Sequence, residues 1–453
     1  MRIHLIAIGG SVMHQLAIAL KRKGYEVSGS DDEIFEPAVS ALEKEGLLPS
    51  PGWEPARVTE DLDAVILGMH AREDNPELAK ARALKIPIFS FPEYIFRESE
   101  QKRRVAVGGS HGKTTTTAMI MHVLRVNGLD FDYLVGARLE GFDQSVRVTN
   151  APVIICEADE YPASVIEKRP KFHFLHPHIA VITGIAWDHI NVFPTYDFYL
   201  EQFSIFIRMI MPGGLLIFNE LDMKLKTLVE NSRRNDIDYI PYHLPDHRIR
   251  DGITNVSIGK ENASLRIFGD HNLLNLQAAY YVCRQLGVSD GNFAKAIATF
   301  SGAAKRLELL LQEKDINIYR DFAHAPSKVK ASIEAVKQQF PNRKLVAVLE
   351  LHTFSSLNEA FMEEYAGAMD PADVAIVFYS RHALELKRMP MLPPESVVEG
   401  FRKPGLRVIT DRLSLERALK EVDPANTNFL FMSSGNYDGM DILRLMKTDP
   451  AAS

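Results

Sequence analysis

Residues 105–119, VAVGGSHGKTTTTAM, run from an apolar stretch through a glycine turn into a lysine and four threonines. Backbone N–H groups of such a turn, set at a helix N-terminus, can cradle phosphate oxygens. Lys113 adds positive charge for the outer phosphates, and the Thr114 hydroxyl can ligate Mg2+. The spacing is one residue short. In the usual phosphate loop the glycine before Lys-Ser/Thr has another five positions earlier, and here that position is Val107. An ordinary strand-to-helix turn is the plain alternative, and the run of strand, Gly-x-x-Gly-Lys-Thr-Thr and helix weighs against it.

Other stretches carry polar side chains at the ends of apolar runs. CEADE offers Glu157, Asp159 and Glu160, and a carboxylate there could complete a Mg2+ site or simply be a solvated strand end. WDHINVF places His189 beside Asp188, a pairing in which a carboxylate can orient a metal-bound histidine. His173, His176 and His178 invite a zinc reading, but no cysteine or carboxylate stands at ligand spacing. GDHNLLNLQAA sets Asn272 and Asn275 on one face of a helix start, where they could meet a nucleotide or cap the helix. Arg306 in KRLE, and Asp321 and His324 in YRDFAHAP, precede a helix opened by Pro326. In IGGSVM, with Asp31 about twenty residues on, a dinucleotide-binding fingerprint is incomplete, because its third glycine is His14.

The elements that must position these residues form three α/β blocks. Strand-like runs such as 3–8, 152–160 and 344–351 read as buried parallel strands, and helical patterns alternate with them. Parallel sheets are expected in all three blocks, with ligands at the carboxyl ends of the strands. The charged stretch RESEQKRR (97–104) reads as an exposed linker. The expected domains are 1–100, 101–304 and 305–453. With 453 residues, 46% hydrophobic and 25% charged, the chain has the composition of a multidomain globular protein. A net charge of −7 argues against a general nucleic-acid or membrane-surface binder. Two cysteines, Cys156 and Cys283, form no disulfide or CxxC pattern, and no apolar run is long enough to span a bilayer. A cytoplasmic protein is expected.

Taken in order, GGSHGKTTTT, EADE, Asp188-His189, HNLLN, KRLE and DFAHAP resemble the motifs of the Mur ligase family, the ATP-dependent amide-forming enzymes of peptidoglycan synthesis. The resemblance covers nearly the whole chain, and the short ATP loop is one of its marks. It implies three domains: an N-terminal Rossmann-like UDP-binding domain, a central P-loop ATPase-type α/β domain and a C-terminal Rossmann-like domain for the amine substrate. It implies ATP contacts from Gly109, Ser110, His111, Gly112, Lys113, Thr114, Thr115, Asn272, Asn275, Arg306 and Asp321. It also implies Mg2+ held by Thr114, Glu157 and His189, and catalytic roles for Lys113, Glu157, His189 and His324.

The first block, with SGSDD and HAREDNPEL, is similar to the branch that loads UDP-N-acetylmuramate. Gly9, Gly10, Ser30, Asp31 and His70 are the expected UDP-sugar contacts. Within that branch EADEYPASVIEKRPKF resembles members that attach L-alanyl-γ-D-glutamyl-meso-diaminopimelate. ELHTFSS (350–356) departs from the Pro-His-Arg-Tyr pattern of members that add L-alanine, without copying the peptide-adding sequence. Together they favour the peptide-adding members. The basic residues Arg381, His382, Lys387 and Arg388 could bind peptide carboxylates or form a solvated face. A P-loop kinase or ATPase, a UDP-sugar sensor and an NAD oxidoreductase explain fewer of these residues.

Overall fold

The computed structural model describes residues 1–136, 139–164, 166–187, 192–303, 306–313 and 315–446. The chain divides into two compact units, residues 1–245 with 274–297, and residues 246–273 with 298–453.

In the first unit, β1 (Arg2–Ile6), β2 (Glu26–Ser30), β3 (Ala64–Leu67) and β4 (Ile88–Ser90) form a parallel sheet in the order β2-β1-β3-β4. A second sheet holds β5 (Arg103–Gly108), β6 (Asp132–Leu134), β7 (Val146–Arg147), β8 (Val153–Glu157), β9 (Ile179–Ile182), β10 (Leu215–Asn219) and β11 (Asp238–Tyr242). Its order is β11-β10-β9-β5-β8-β6-β7, so the strand carrying the glycine turn lies between β9 and β8. The chain therefore switches direction across the sheet at β5, which opens a crevice at the carboxyl ends of these strands.

The second unit opens with an antiparallel sheet of β12 (His247–Arg250), β13 (Ile253–Ile258) and β14 (Glu261–Leu265). It continues with β15 (Glu308–Gln312), β16 (Ile316–Asp321), β17 (Lys344–Glu350), β18 (Val374–Phe378), β19 (Arg407–Ile409) and β20 (Thr427–Met432), in the order β15-β16-β20-β17-β18-β19. Separate apolar clusters cover its two faces, one around Ile333, Leu349 and Phe401, the other around Phe378, Leu415 and Phe431.

Two expectations change here. The sheets are not parallel throughout: β15 runs antiparallel to β16, β7 antiparallel to β6, and β12–β14 are wholly antiparallel. Strands β13 and β14 alternate buried and exposed residues, as one-faced hairpins do, and lack the unbroken apolar runs of parallel strands.

Nor is 97–104 an exposed linker. A helix over Phe91–Ser99 runs almost directly into β5, and Ser99, Lys102 and Arg104 are buried. Arg104 donates to the carbonyls of Ser99, Glu100 and His176, while Lys102 Nζ reaches Asp132 at 2.6 Å and the carbonyls of Thr149 and Ala151 at 2.6 and 3.0 Å. One apolar cluster, including Leu16, Ile95, Val146 and Phe203, runs from the first sheet to the second. Charge in the sequence marked buried partners, not a tether.

Asp132 is fully buried, and a buried carboxylate stripped of its cation costs about 3–5 kcal/mol. Lys102→Ala is expected to lower the urea midpoint of the first unit's unfolding transition by a corresponding amount. An unchanged midpoint would show that the pair contributes nothing to the stability of this unit.

Candidate active site

The turn between β5 and the helix Lys113–Val126 needs glycine at two places for steric reasons. Gly109 has φ +128°, and a Cβ there would lie 2.9 Å from the Thr183 backbone nitrogen, and closer still to its Oγ1. Gly112 has φ +80°, and its Cβ would run into the Asn275 side-chain oxygen. The turn is pinned from β9: Ser110 N–H donates to the Gly184 carbonyl at 2.8 Å, and the Thr183 hydroxyl donates to the carbonyls of Gly108, at 3.2 Å, and of His111. Ser110 Oγ lies 2.8 Å from His111 Nδ1 and accepts from the Ala186 N–H at 3.0 Å. Thr115 is buried on the helix, and Asn275 Oδ1 accepts from the Thr116 hydroxyl at 3.3 Å.

Lys113 opens the helix. Its Nζ donates to the Gly109 carbonyl at 2.6 Å and to Glu160 Oε2 at 2.7 Å. Burial alone would favour a neutral amine. Glu160, Asp159 and Glu157 outweigh it and hold the ammonium above its ordinary range. The Thr114 hydroxyl donates to Glu157 Oε1 at 2.6 Å, and Gly136 N–H donates to Oε2 at 2.8 Å. Asp159 is buried enough to resist ionisation, yet Lys171 and Lys113 hold its pKa below the usual carboxylate range. The expected carboxylates thus converge on the turn. His189, with Asp188, lies outside the described residues.

A cavity of about 280 Å³ opens beside Lys113, walled by Glu157, Asp159 and Lys171 and, from the first sheet, by Gly10, Ser11 and His70. It adjoins a groove of about 720 Å³ that shares Gly10, Ser11, His70 and Gly136 and reaches Asp31. Gly10 and His70 therefore line both spaces. Asp31 Oδ2 accepts from Gly9 N–H at 2.7 Å, which occupies that amide, and burial pushes the Asp31 carboxyl up to about 6.

Ser30 departs from expectation. It is buried, and its hydroxyl donates to Glu77, which also meets His4 Nε2 at 3.1 Å and accepts from Glu54 N–H at 2.6 Å. Its side chain serves the interior of the first domain, not the groove. His173, His176 and His178 are structural: His173 Nε2 lies 2.9 Å from the Gln202 carbonyl, His176 packs on Phe96, and His178 Nδ1 accepts from Arg104 N–H. Among the described residues no group of three histidine, cysteine or acidic side chains could hold a metal.

In the second unit Asp321 ends β16 and accepts from the Ser332 hydroxyl at 2.5 Å. Arg306 lies over the Phe322 ring at 4.9 Å, and His324 Nδ1 is 2.8 Å from the Phe322 carbonyl. Asn272 donates its amide to the Phe268 carbonyl at 2.9 Å and falls in this unit, whereas Asn275 falls in the first.

Three family models account for most of the chain. Residues 2–103 match the Mur ligase family catalytic domain, 107–283 the Mur ligase middle domain and 305–435 the Mur ligase glutamate ligase domain. A curated UDP-N-acetylmuramate–L-alanine ligase from Roseiflexus sp. (strain RS-1) is 32% identical over 402 residues, covering 83% of this chain and 84% of its own. The chain belongs to the Mur ligase family.

Mur ligases are ATP-dependent, amide-forming enzymes of peptidoglycan synthesis, and this chain has their three-domain α/β architecture. The crystal structure of a UDP-N-acetylmuramate–alanine ligase from Thermotoga maritima shares the fold with a TM-score of 0.67 at 23% identity, covering 97% of both chains. That of a murein peptide ligase from Psychrobacter arcticus gives 0.63 at 22%, covering 98% of both. No helix among the described residues is long and apolar enough to cross a membrane.

Two residues of this Mur ligase's site are not among the expected site residues. Asp222 caps the helix Met223–Asn231 and also takes the Ile185 N–H at 2.8 Å, bracing the segment after β9. Lys171 enters the cavity from KRPKF, a stretch that the sequence ties by resemblance to the peptide substrate and not to this cavity.

Gly109→Ala is expected to strain the turn by about 1–3 kcal/mol and to abolish tight ATP binding, read as a lower melting temperature with no nucleotide-induced rise. Lys113→Ala is expected to fold and to lower ADP formation by about a hundredfold or more. Normal turnover by Lys113→Ala would remove the turn from the chemistry.

Proposed function

We propose that this Mur ligase activates the lactyl carboxylate of UDP-N-acetylmuramate with ATP and joins it to the amine of L-alanyl-γ-D-glutamyl-meso-diaminopimelate in peptidoglycan recycling, as muropeptide ligases do. The observation that carries the carboxylate half is the adjoining pair of spaces between Asp31 and Lys113, which share Gly10, Ser11, His70 and Gly136. A nucleotide sugar held by Gly9, Gly10, Asp31 and His70 would extend toward the phosphate turn. The peptide half rests on KRPKF (168–172) and on the departure of ELHTFSS from the alanine-adding pattern. L-Alanine is the second reading, and the names of the curated relatives favour it over the peptide.

The chemistry is carboxylate activation. A carboxylate oxygen bonds to the γ-phosphorus while the bond to the bridging oxygen breaks, its electron pair leaving on ADP. The amine nitrogen then attacks the acyl carbon, phosphate departs with the electron pair of its C–O bond, and the nitrogen loses a proton. The first step brings two anions together. At an effective dielectric of about 20, unit charges about 4 Å apart repel by about 4 kcal/mol, about a thousandfold in rate. Lys113, charged because three carboxylates surround it, offsets this at the phosphate. The turn's backbone amides add fixed dipoles.

Thr114 and Glu157 present a hydroxyl and a carboxylate 2.6 Å apart, hard oxygen donors of the kind Mg2+ takes alongside water and phosphate. They would hold Mg2+, with His189 by resemblance, and the bound ion supplies further positive charge at the phosphates. By the same resemblance Asn272, Asn275, Arg306 and Asp321 contact ATP, and His324 lies near the reacting end.

ADP release should require UDP-N-acetylmuramate and an amine together, and the tripeptide is expected to support faster turnover than L-alanine. Preference for L-alanine would transfer the assignment to the alanine-adding ligases. No ADP with either amine would sink both readings.

A further inference from the structure

The cavity beside the phosphate turn contains a second lysine to which no role has yet been given. Lys171 begins the single turn Lys171–Phe174, directly after Pro170. The chain before it folds back as a hairpin. Pro162 and Pro170 bridge across it, Ala163 N–H donates to the Arg169 carbonyl at 2.9 Å, and Lys171 N–H donates to the Tyr161 carbonyl at 2.9 Å. Phe172 N–H donates to the Asp159 carbonyl at 3.2 Å. These bonds set the backbone from which the lysine reaches the cavity. Its Nζ donates to Asp159 Oδ2 at 2.8 Å, and 24% of the side chain stays exposed.

The charges facing that cavity explain why a second cation is needed. Lys113 already shares its ammonium between Gly109 and Glu160. Glu157 and Asp159 also line the space, so Lys113 and a Mg2+ held at Glu157 have these carboxylates and a triphosphate to balance before a substrate carboxylate arrives. An ammonium carries three donors, and Asp159 takes one of those on Lys171. The remaining two can meet an incoming anion. Gly10 and Ser11 wall the same cavity, so an anion attached to a sugar held along the first-domain groove would arrive within this lysine's reach.

We infer that Lys171 binds the lactyl carboxylate of the nucleotide sugar, leaving Lys113 to the phosphate. Two lysines thereby divide the two anions that must meet. The inference rests on the proposed UDP-N-acetylmuramate reading. The alternative is a purely structural pair, in which Lys171 only fastens the hairpin to Asp159.

UDP-N-acetylglucosamine separates the two, because it keeps the nucleotide and sugar but lacks the lactyl carboxylate. Calorimetric binding of both sugars to the full-length protein would be compared for the wild type, Lys171→Gln and Lys171→Arg. Lys171→Gln is expected to weaken UDP-N-acetylmuramate binding by about tenfold or more, a charged hydrogen bond's worth, and to leave UDP-N-acetylglucosamine within about twofold. Lys171→Arg should restore most of the preference for the carboxylate-bearing sugar. Equal weakening of both sugars, or of neither, overturns the inference.

Should Lys171→Gln fail to show a cooperative thermal transition, Lys171→Met keeps the aliphatic stem and the same two sugars decide. Failure of the underlying reading looks different: the wild type itself would bind UDP-N-acetylmuramate no better than UDP-N-acetylglucosamine and release no ADP with it.

Discussion

The close approach of β9 to the turn after β5 is the constraint on which the site depends. Thr183 and Gly184 leave no room for a side chain at 109, and Asn275 leaves none at 112. Both positions also need positive φ, which glycine adopts at little cost. Because the turn is clamped from two sides, the Lys113 ammonium is delivered to a fixed point between the Gly109 carbonyl and Glu160. The shortened loop is therefore a compact turn braced by its neighbours.

Around that point the fold concentrates charge of both signs. Glu157, at the end of β8, is held by Thr114 and by the Gly136 amide, so its orientation is set before any ligand arrives. Asp159 and Glu160 keep Lys113 protonated despite its burial. Such pre-set groups need little rearrangement when charge moves, which is where electrostatic catalysis gains most. The sheet order supplies the rest. With β5 between β8 and β9, the residues following three separate strands meet at one crevice.

The first sheet is tied to this crevice by more than chain connectivity. The shared apolar cluster, the buried Arg104 guanidinium donating to the carbonyls of Ser99, Glu100 and His176, and the Ser145 N–H donating to Gln15 at 3.4 Å all join it to the central sheet. A groove starting at Asp31 can therefore hold a fixed register to Lys113 within one compact unit. Stiffness between the two sheets matters for a reaction that brings one anion to another, because small misplacement forfeits much of the rate.

The glycine turn, the carboxylates after β8, the strand ends at Asp31 and Asp321 and the three-block α/β plan were legible in the sequence. Each is written in local residue order, since turns, strand ends and helix starts depend on neighbours a few positions apart. What was not legible depends on partners distant in the chain. Charged Lys102 and Arg104 look solvated until Asp132 and the carbonyls of Ser99, Glu100 and His176 surround them. Ser30 looks like a ligand contact until Glu77, forty-seven residues later, claims its hydroxyl. Lys171 is only part of a family-like stretch, KRPKF, until a hairpin carries it beside Lys113. The sequence by itself determined the kind of chemistry, because phosphate binding is local. Only the tertiary structure decided which charges face the cavity and which are spent in the interior, because that depends on what packs against them.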